Sequence, residues 1–202
     1  MKVETIFANW IAYENLSLDN KSIEKFCYEI YNSDKTGKDI RKGAGWESKN
    51  IFVENVENNE IKTLTKIVNE KYNILTKKFG FCQNRKINIG NFWINIGKNN
   101  NNKRFHIHKK SVFVAVYYVK VPINSGKLIL KNSNTDNYDM CVSSNMIEKY
   151  NEYNSSTYYY TPKQGDLVFF PAWLEHGVEF NYSNEDRISI AFNSIYEENN
   201  DY

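Results

Sequence analysis

The chain has 202 residues, 41% of them hydrophobic and 15% aromatic, with a formal net charge of +2. That composition excludes a disordered chain, and 26 basic residues scattered among 24 acidic ones leave no electrostatic footprint for nucleic acid. Three Pro and nine Gly imply no long linker, so one domain over 1–202 is expected. Cys27, Cys82 and Cys141 are odd in number and widely spaced, which points to a reduced protein. The opening MKVETIFANW lacks the apolar region of a signal peptide, and no run approaches the roughly 18 apolar residues of a membrane helix. The expectation is a cytoplasmic protein that engages neither membrane nor nucleic acid.

In chain order, residues 3–11 (VETIFANWI) read as a first strand. Asp19 or Asn20 can cap a helix over about 20–31, with Ile23, Phe26, Cys27 and Ile30 at helical spacing. Residues 32–50 read as a loop. A second helix is predicted over about 59–79, with Ile61, Leu64, Ile67, Val68, Leu75 and Phe79 as its buried stripe and Gly80 as its stop. From about residue 85 the texture changes to strands: KINIGNFWINI as one or two, then FHIHKKSVFVAVYY after a polar turn at 99–103, then KLILKN after the turn Asn124-Ser125-Gly126. Residues 132–157 are polar and aperiodic, and read either as a lid over a site or as a surface insertion. STYYYTP, GDLVFFP, EHGVEF and RISIAFN follow at short intervals. Helices followed by roughly eight strands imply an α+β, mostly β fold. A strand and helices in 1–84 would pack on a β-sandwich or barrel core in 85–196.

The chain's three histidines all fall in this β region. His106 and His108 are one residue apart, so in an extended strand both imidazoles share a face and form half of a metal site. Alone, the pair reads equally as two solvated residues. His176 follows Gly165-Asp166-LVFF-Pro171 and opens the next strand, where it can face the same cavity. Arg187 and Ser189 share a strand face with Ala191 and Asn193, while Ile188, Ile190 and Phe192 take the other. On an inner face, the guanidinium fork suits a carboxylate ligand. On an outer face, Arg187 would pair with Glu185 or Asp186. Tyr118 shares its face with Val112, Val114 and Val116, as the wall of a cavity would.

Taken together, HIH followed by YY, then GDLVFFPAWLEH and RISIAFN, in this order and spacing, resemble the iron(II)- and 2-oxoglutarate-dependent oxygenases. The nearest group is the 2OG-Fe(II) oxygenases of phages and marine bacteria, which are prolyl-hydroxylase-like. The likeness covers about residues 85–196. It implies a double-stranded β-helix (jelly-roll) core with N-terminal packing helices. It also implies that His106, His108 and His176 ligate Fe(II), and that Arg187, with Ser189 and Tyr118, binds the distal carboxylate of 2-oxoglutarate. With O2 as co-substrate, such an enzyme releases succinate and CO2 and hydroxylates a small-molecule or peptide substrate. Trp173 and the 132–157 segment would border the mouth and contact that substrate.

His108 departs from the wider superfamily, where His-x-Asp/Glu supplies a carboxylate. Three neutral ligands also suit zinc. The alternative is a cupin, a metal-binding barrel that does not use 2-oxoglutarate. Against it, SVFVAVYY holds no acid after HIH, and a cupin has no use for Arg187 and Ser189 on the late strand.

Overall fold

The computed structural model describes residues 1–38, 45–81 and 86–196. Strand β1 (Ala12–Asn15) leads into helix α1 (Asn20–Ser33), whose first turn is capped by Asp19 Oδ1 accepting from the Lys21 and Ser22 amides at 3.0 and 3.1 Å. A two-residue strand β2 (Trp46–Glu47) precedes α2 (Asn59–Lys78). Asn58 caps α2 and Gly80 follows it at φ 71°, the left-handed conformation that glycine adopts without strain. Strands β3 (Ile87–Gly97), β4 (Lys103–His106), β5 (Phe113–Lys120) and β6 (Leu128–Lys131) follow. After helix α3 (Thr135–Cys141) come β7 (Thr157–Tyr160), β8 (Asp166–Pro171), β9 (Glu175–Val178) and β10 (Arg187–Tyr196).

The strands form two antiparallel sheets, one ordered β1-β8-β5-β10-β3-β2 and the other β4-β9-β6-β7. Side-chain alternation along the central strands divides the core in two. Phe113, Ala115, Tyr117 and Val119 of β5, Leu167 and Phe169 of β8, and Ile188, Ile190 and Phe192 of β10 face α1 and α2. There they join Ile23, Cys27, Ile61, Leu64, Val68, Tyr72 and Leu75. The alternate residues Val114, Tyr118, Val168 and Phe170 turn inward and meet Leu128, Leu130 and Leu174 between the sheets. The helices therefore seal one face of the large sheet and leave its other face for the site. Among the described residues no helix is long and apolar enough to cross a membrane.

Three expectations need correction. The first strand is Ala12–Asn15, not 3–11: it joins the edge of β8, and the Ala12↔Phe169 to Asn15↔Asp166 register fixes which residues pair. The residues before Trp10 stay exposed without regular structure, while Trp10 stacks on Phe79 at 4.5 Å. Alternating apolar residues make a strand only where an unpaired edge receives them. The 132–157 segment is not a plain loop, because it holds α3 and a 3-10 turn at Ser144–Met146. Its two ends are tied by Asn132 N to Ser156 O at 2.8 Å and by the buried Thr135 hydroxyl. Finally, Val112 precedes β5 and packs on the helix side, apart from Val114, Val116 and Tyr118. Cys82 and the middle of the 32–50 stretch lie outside the described residues.

Phe113 is fully buried where β5 meets the helices, with Trp10, Tyr72, Phe79 and Phe81 around its ring at 5.5–6.5 Å. Phe113→Ala is expected to cost about 3–5 kcal/mol of unfolding free energy, measured by urea denaturation of the metal-free protein.

Candidate metal centre

His106 closes β4 and His176 lies in β9 directly opposite it in the sheet register. His108 stands two residues past β4, outside the regular strand, and is fixed there by its amide donating to Ala172 O at 2.9 Å. The three ring centroids are 4.3–5.2 Å apart, and one nitrogen from each ring lies within 4.8 Å of the others. His176 is buried and the other two are half-buried.

The hydrogen bonds of the rings fix their protons. Nδ1 of His106 faces Arg104 O at 2.9 Å, Nδ1 of His108 faces Asn193 Oδ1 at 2.6 Å, and Nδ1 of His176 faces Leu174 O at 2.9 Å. Each of those oxygens only accepts, so each Nδ1 carries the hydrogen and each Nε2 keeps its lone pair. Nε2 of His108 and Nε2 of His176 stand 3.1 Å apart. Two lone pairs at that distance repel unless a cation is shared between them. Burial is the main reason that protons do not supply it, lowering His106 below its ordinary value, His108 to about 4 and His176 to about 2. Three neutral, preoriented imidazoles fit a divalent transition metal.

The cavity that these rings line continues between the sheets to Tyr118, Ser189 and Arg187. Arg187 is only 8% exposed, and its Nη1 donates to Ser125 O at 2.5 Å and to Glu179 O at 3.5 Å. The Asn124-Ser125-Gly126 turn is therefore the prop beneath the guanidinium. Gly97 stands opposite Arg187 in the register, and a Cβ there would lie 3.2 Å from Nη2. No carboxylate among the described residues pairs with Arg187, and burial lowers its pKa from the ordinary value although the group stays charged. Burial likewise pushes the Tyr118 hydroxyl up, so it remains a donor. The inward reading of Arg187 and Ser189 is the one the fold adopts, and pairing with Glu185 or Asp186 is not.

A model of the family described as Putative 2OG-Fe(II) oxygenase matches residues 91–193, just over half of the chain. The chain belongs to this family. It is thus a 2-oxoglutarate- and Fe(II)-dependent oxygenase, an oxidoreductase, and the cupin alternative is set aside. Solved structures share the jelly-roll fold at low identity. A prolyl hydroxylase from Trichoplax adhaerens, in complex with a hypoxia inducible factor peptide fragment, is 15% identical with a TM-score of 0.64, over 92% of this chain and 83% of that one. The viral collagen prolyl hydroxylase of Paramecium Bursaria Chlorella virus-1 is 12% identical with a TM-score of 0.58, over 97% and 98%. The epimerase SnoN, in complex with Fe3+, alpha ketoglutarate and nogalamycin RO, is 12% identical with a TM-score of 0.60, over 93% and 79%. A search of curated proteins by sequence finds no match.

Within this oxygenase Trp93, Asn95 and Lys103 also line the cavity, and Lys38 and Glu47 contact them from outside the lining. Lys103 reaches Glu47 and Asn95 Oδ1, and Lys38 Nζ donates to Glu47 Oε1 at 3.0 Å while lying over the Trp93 ring at 4.9 Å. Burial works to raise the Glu47 pKa, but the two lysines outweigh it and hold the carboxyl below its ordinary range. Glu47 arrives from β2, a strand of two residues, too short to leave a periodic signature. Asn193 lies on the face already assigned to Arg187, and only its contact with His108 is new. Trp173 sits on the turn between β8 and β9, 51% exposed and outside the cavity lining. Lys131 lies between Asp136 of α3 and Glu175, the first residue of β9, which places the start of the 132–157 segment near His176.

The lowered histidine pKa values set a pH dependence. In the metal-free protein the folded state refuses protons that the unfolded histidines accept below pH about 6.5. Stability present above that value is therefore lost on acidification, by about 1.4 kcal/mol per pH unit for each such histidine. For His108 the window runs from about 6.5 down to about 4. Urea unfolding at pH 7 and pH 5 is expected to show this loss, with a shallower dependence in His176→Ala. Equal slopes in parent and variant would contradict a neutral, buried His176.

Proposed function

We propose that this oxygenase couples decarboxylation of 2-oxoglutarate, giving succinate and CO2, to hydroxylation of a C–H bond in a small-molecule or peptide substrate. The balance is simple: one atom of O2 enters succinate and the other enters the new hydroxyl. Fe(II), when bound, supplies the activation of O2. His106, His108 and His176 would hold it through Nε2. Arg187 would take the distal carboxylate of 2-oxoglutarate, with Ser189 and the protonated Tyr118 hydroxyl beside it. Val114 and Leu128 keep this end of the cavity apolar and exclude water from the ion pair. Trp173 and the 132–157 segment belong to substrate contact on this reading. Both substrate classes stay in view because the neighbours include a prolyl hydroxylase with a peptide and an epimerase with nogalamycin RO.

The observation that carries the reading is Arg187, a buried cation facing a cavity with no carboxylate among the described residues to neutralise it. An uncompensated buried charge is costly, and a dicarboxylate whose other end chelates a metal is the ligand that this geometry neutralises.

Anaerobic addition of 2-oxoglutarate to the Fe(II) protein is expected to produce a visible charge-transfer band. Iron binding without that band would point to a metal centre that takes no 2-oxoglutarate. Arg187→Ala removes a charge-assisted pair worth about 1.5–3 kcal/mol, so 2-oxoglutarate affinity should fall roughly ten- to hundred-fold with metal affinity unchanged. His176→Ala should instead lose the metal, read by metal content after dialysis.

A further inference from the structure

We propose that Asn193 is a positioning residue that makes His108 a metal ligand, by holding its proton on Nδ1 and aiming Nε2 into the site. The proposal rests on the three-histidine reading above. His106 and His176 are each oriented by a backbone carbonyl two residues earlier in the chain, so the local fold of β4 and β9 turns those rings. His108 has no such local support. It lies beyond the end of β4, and its Nδ1 is held by a side chain from β10, 85 residues away, at 2.6 Å. The Trp93 ring, stacked on His108 at 5.4 Å and 25°, restrains the plane of the imidazole but cannot choose its tautomer.

The tautomer depends on which atom Asn193 presents. Its oxygen requires Nδ1–H and frees Nε2 for a cation, whereas its NH2 would require the reverse and point a hydrogen at His176. In the structure the oxygen is the atom presented, Asn193 Oδ1 lying 2.6 Å from His108 Nδ1. Asn193 is held in register opposite Asn91 of β3. The backbone of β10 is fixed at this point as well. The sheet register shifts between Asn193 and Ser194, and the buried Ser194 hydroxyl accepts from the Val112 and Phe113 amides at 3.1 and 2.8 Å. The β-bulge thus anchors the residue next to Asn193 to the segment that follows His108.

The test is Co2+ affinity, by competition with a chromophoric chelator, together with the Co2+ absorption spectrum, in the parent protein, Asn193→Leu, Asn193→Asp and His176→Ala. Thermal unfolding of the metal-free proteins runs alongside. Outer partners of metal-bound histidines are typically worth about 10–100-fold in affinity, and a loss of that size with an altered spectrum is expected for Asn193→Leu. Asn193→Asp keeps an acceptor of the same shape and adds a negative charge, so it should bind Co2+ at least as tightly as the parent. Parental affinity in folded Asn193→Leu, or an equal loss in folded Asn193→Asp, would overturn the role of Asn193. His176→Ala separates the two levels: its failure to weaken Co2+ binding would instead remove the three-histidine centre on which the proposal stands.

Discussion

The structure depends on the strict two-sidedness of β10. Its even-numbered residues Ile188, Ile190 and Phe192 are fully buried against the helices, and its odd-numbered residues Arg187, Ser189, Ala191 and Asn193 project between the sheets. Because a strand's period is two, sliding β10 by one residue against β3 and β5 would drive Arg187 into the helix-packed core and send Ile188 into the cavity. The apolar face therefore fixes the register that the functional face needs. Tyr72 of α2 reinforces it, donating its buried hydroxyl to Phe192 O at 3.1 Å. The helices of the N-terminal part carry none of the proposed chemistry, yet they decide which way Arg187 points.

The same strand links the two ends of the cavity. Asn193 touches His108 at one end, and Arg187 stands six residues away at the other. Among the described residues, neither end finds a counter-charge. At one, Nε2 lone pairs converge on each other; at the other, a guanidinium lies buried among carbonyls. A cation and an anion answer these deficits separately, and a chelating dicarboxylate joins them. Any ligand that binds the folded state alone adds stability by mass action, so the filled site should also be the more stable form.

Much of this was legible in the chain. The helices over 20–31 and 59–79 appear at Asn20–Ser33 and Asn59–Lys78, because both have apolar stripes of helical period and side-chain caps. His106, His176 and Arg187-x-Ser189 could be placed on strand faces because strand alternation is a local rule. What escaped depends on distant partners. Nothing local distinguishes residues 3–11 from the true edge strand at Ala12–Asn15, since the choice is made by β8. Glu47 reads as one polar residue in a loop, and its burial beside Lys38 and Lys103 exists only once β2 has paired with β3. His108 could be read as a strand partner of His106, but β4 ends first and the ring is oriented from β10 instead.

The charge balance of the cavity follows from that substitution of imidazole for carboxylate. In a centre with two histidines and one acid, a divalent cation keeps one net positive charge, and with three neutral histidines it keeps two. Around this centre, Glu47 answers only one of its two lysines, and no carboxylate among the described residues answers Arg187. Every one of these departures has the same sign. A dianionic co-substrate shared between the metal and Arg187 would offset two of these positive charges, and net positive charge would remain in and beside the cavity. Charge of one sign in a low-dielectric cavity retains anions more strongly than it would in water. As a metal ligand, His108 would therefore hold an anion more strongly than a carboxylate in its place. Glu47, buried and paired with Lys38 and with Lys103 of the cavity lining, limits this excess.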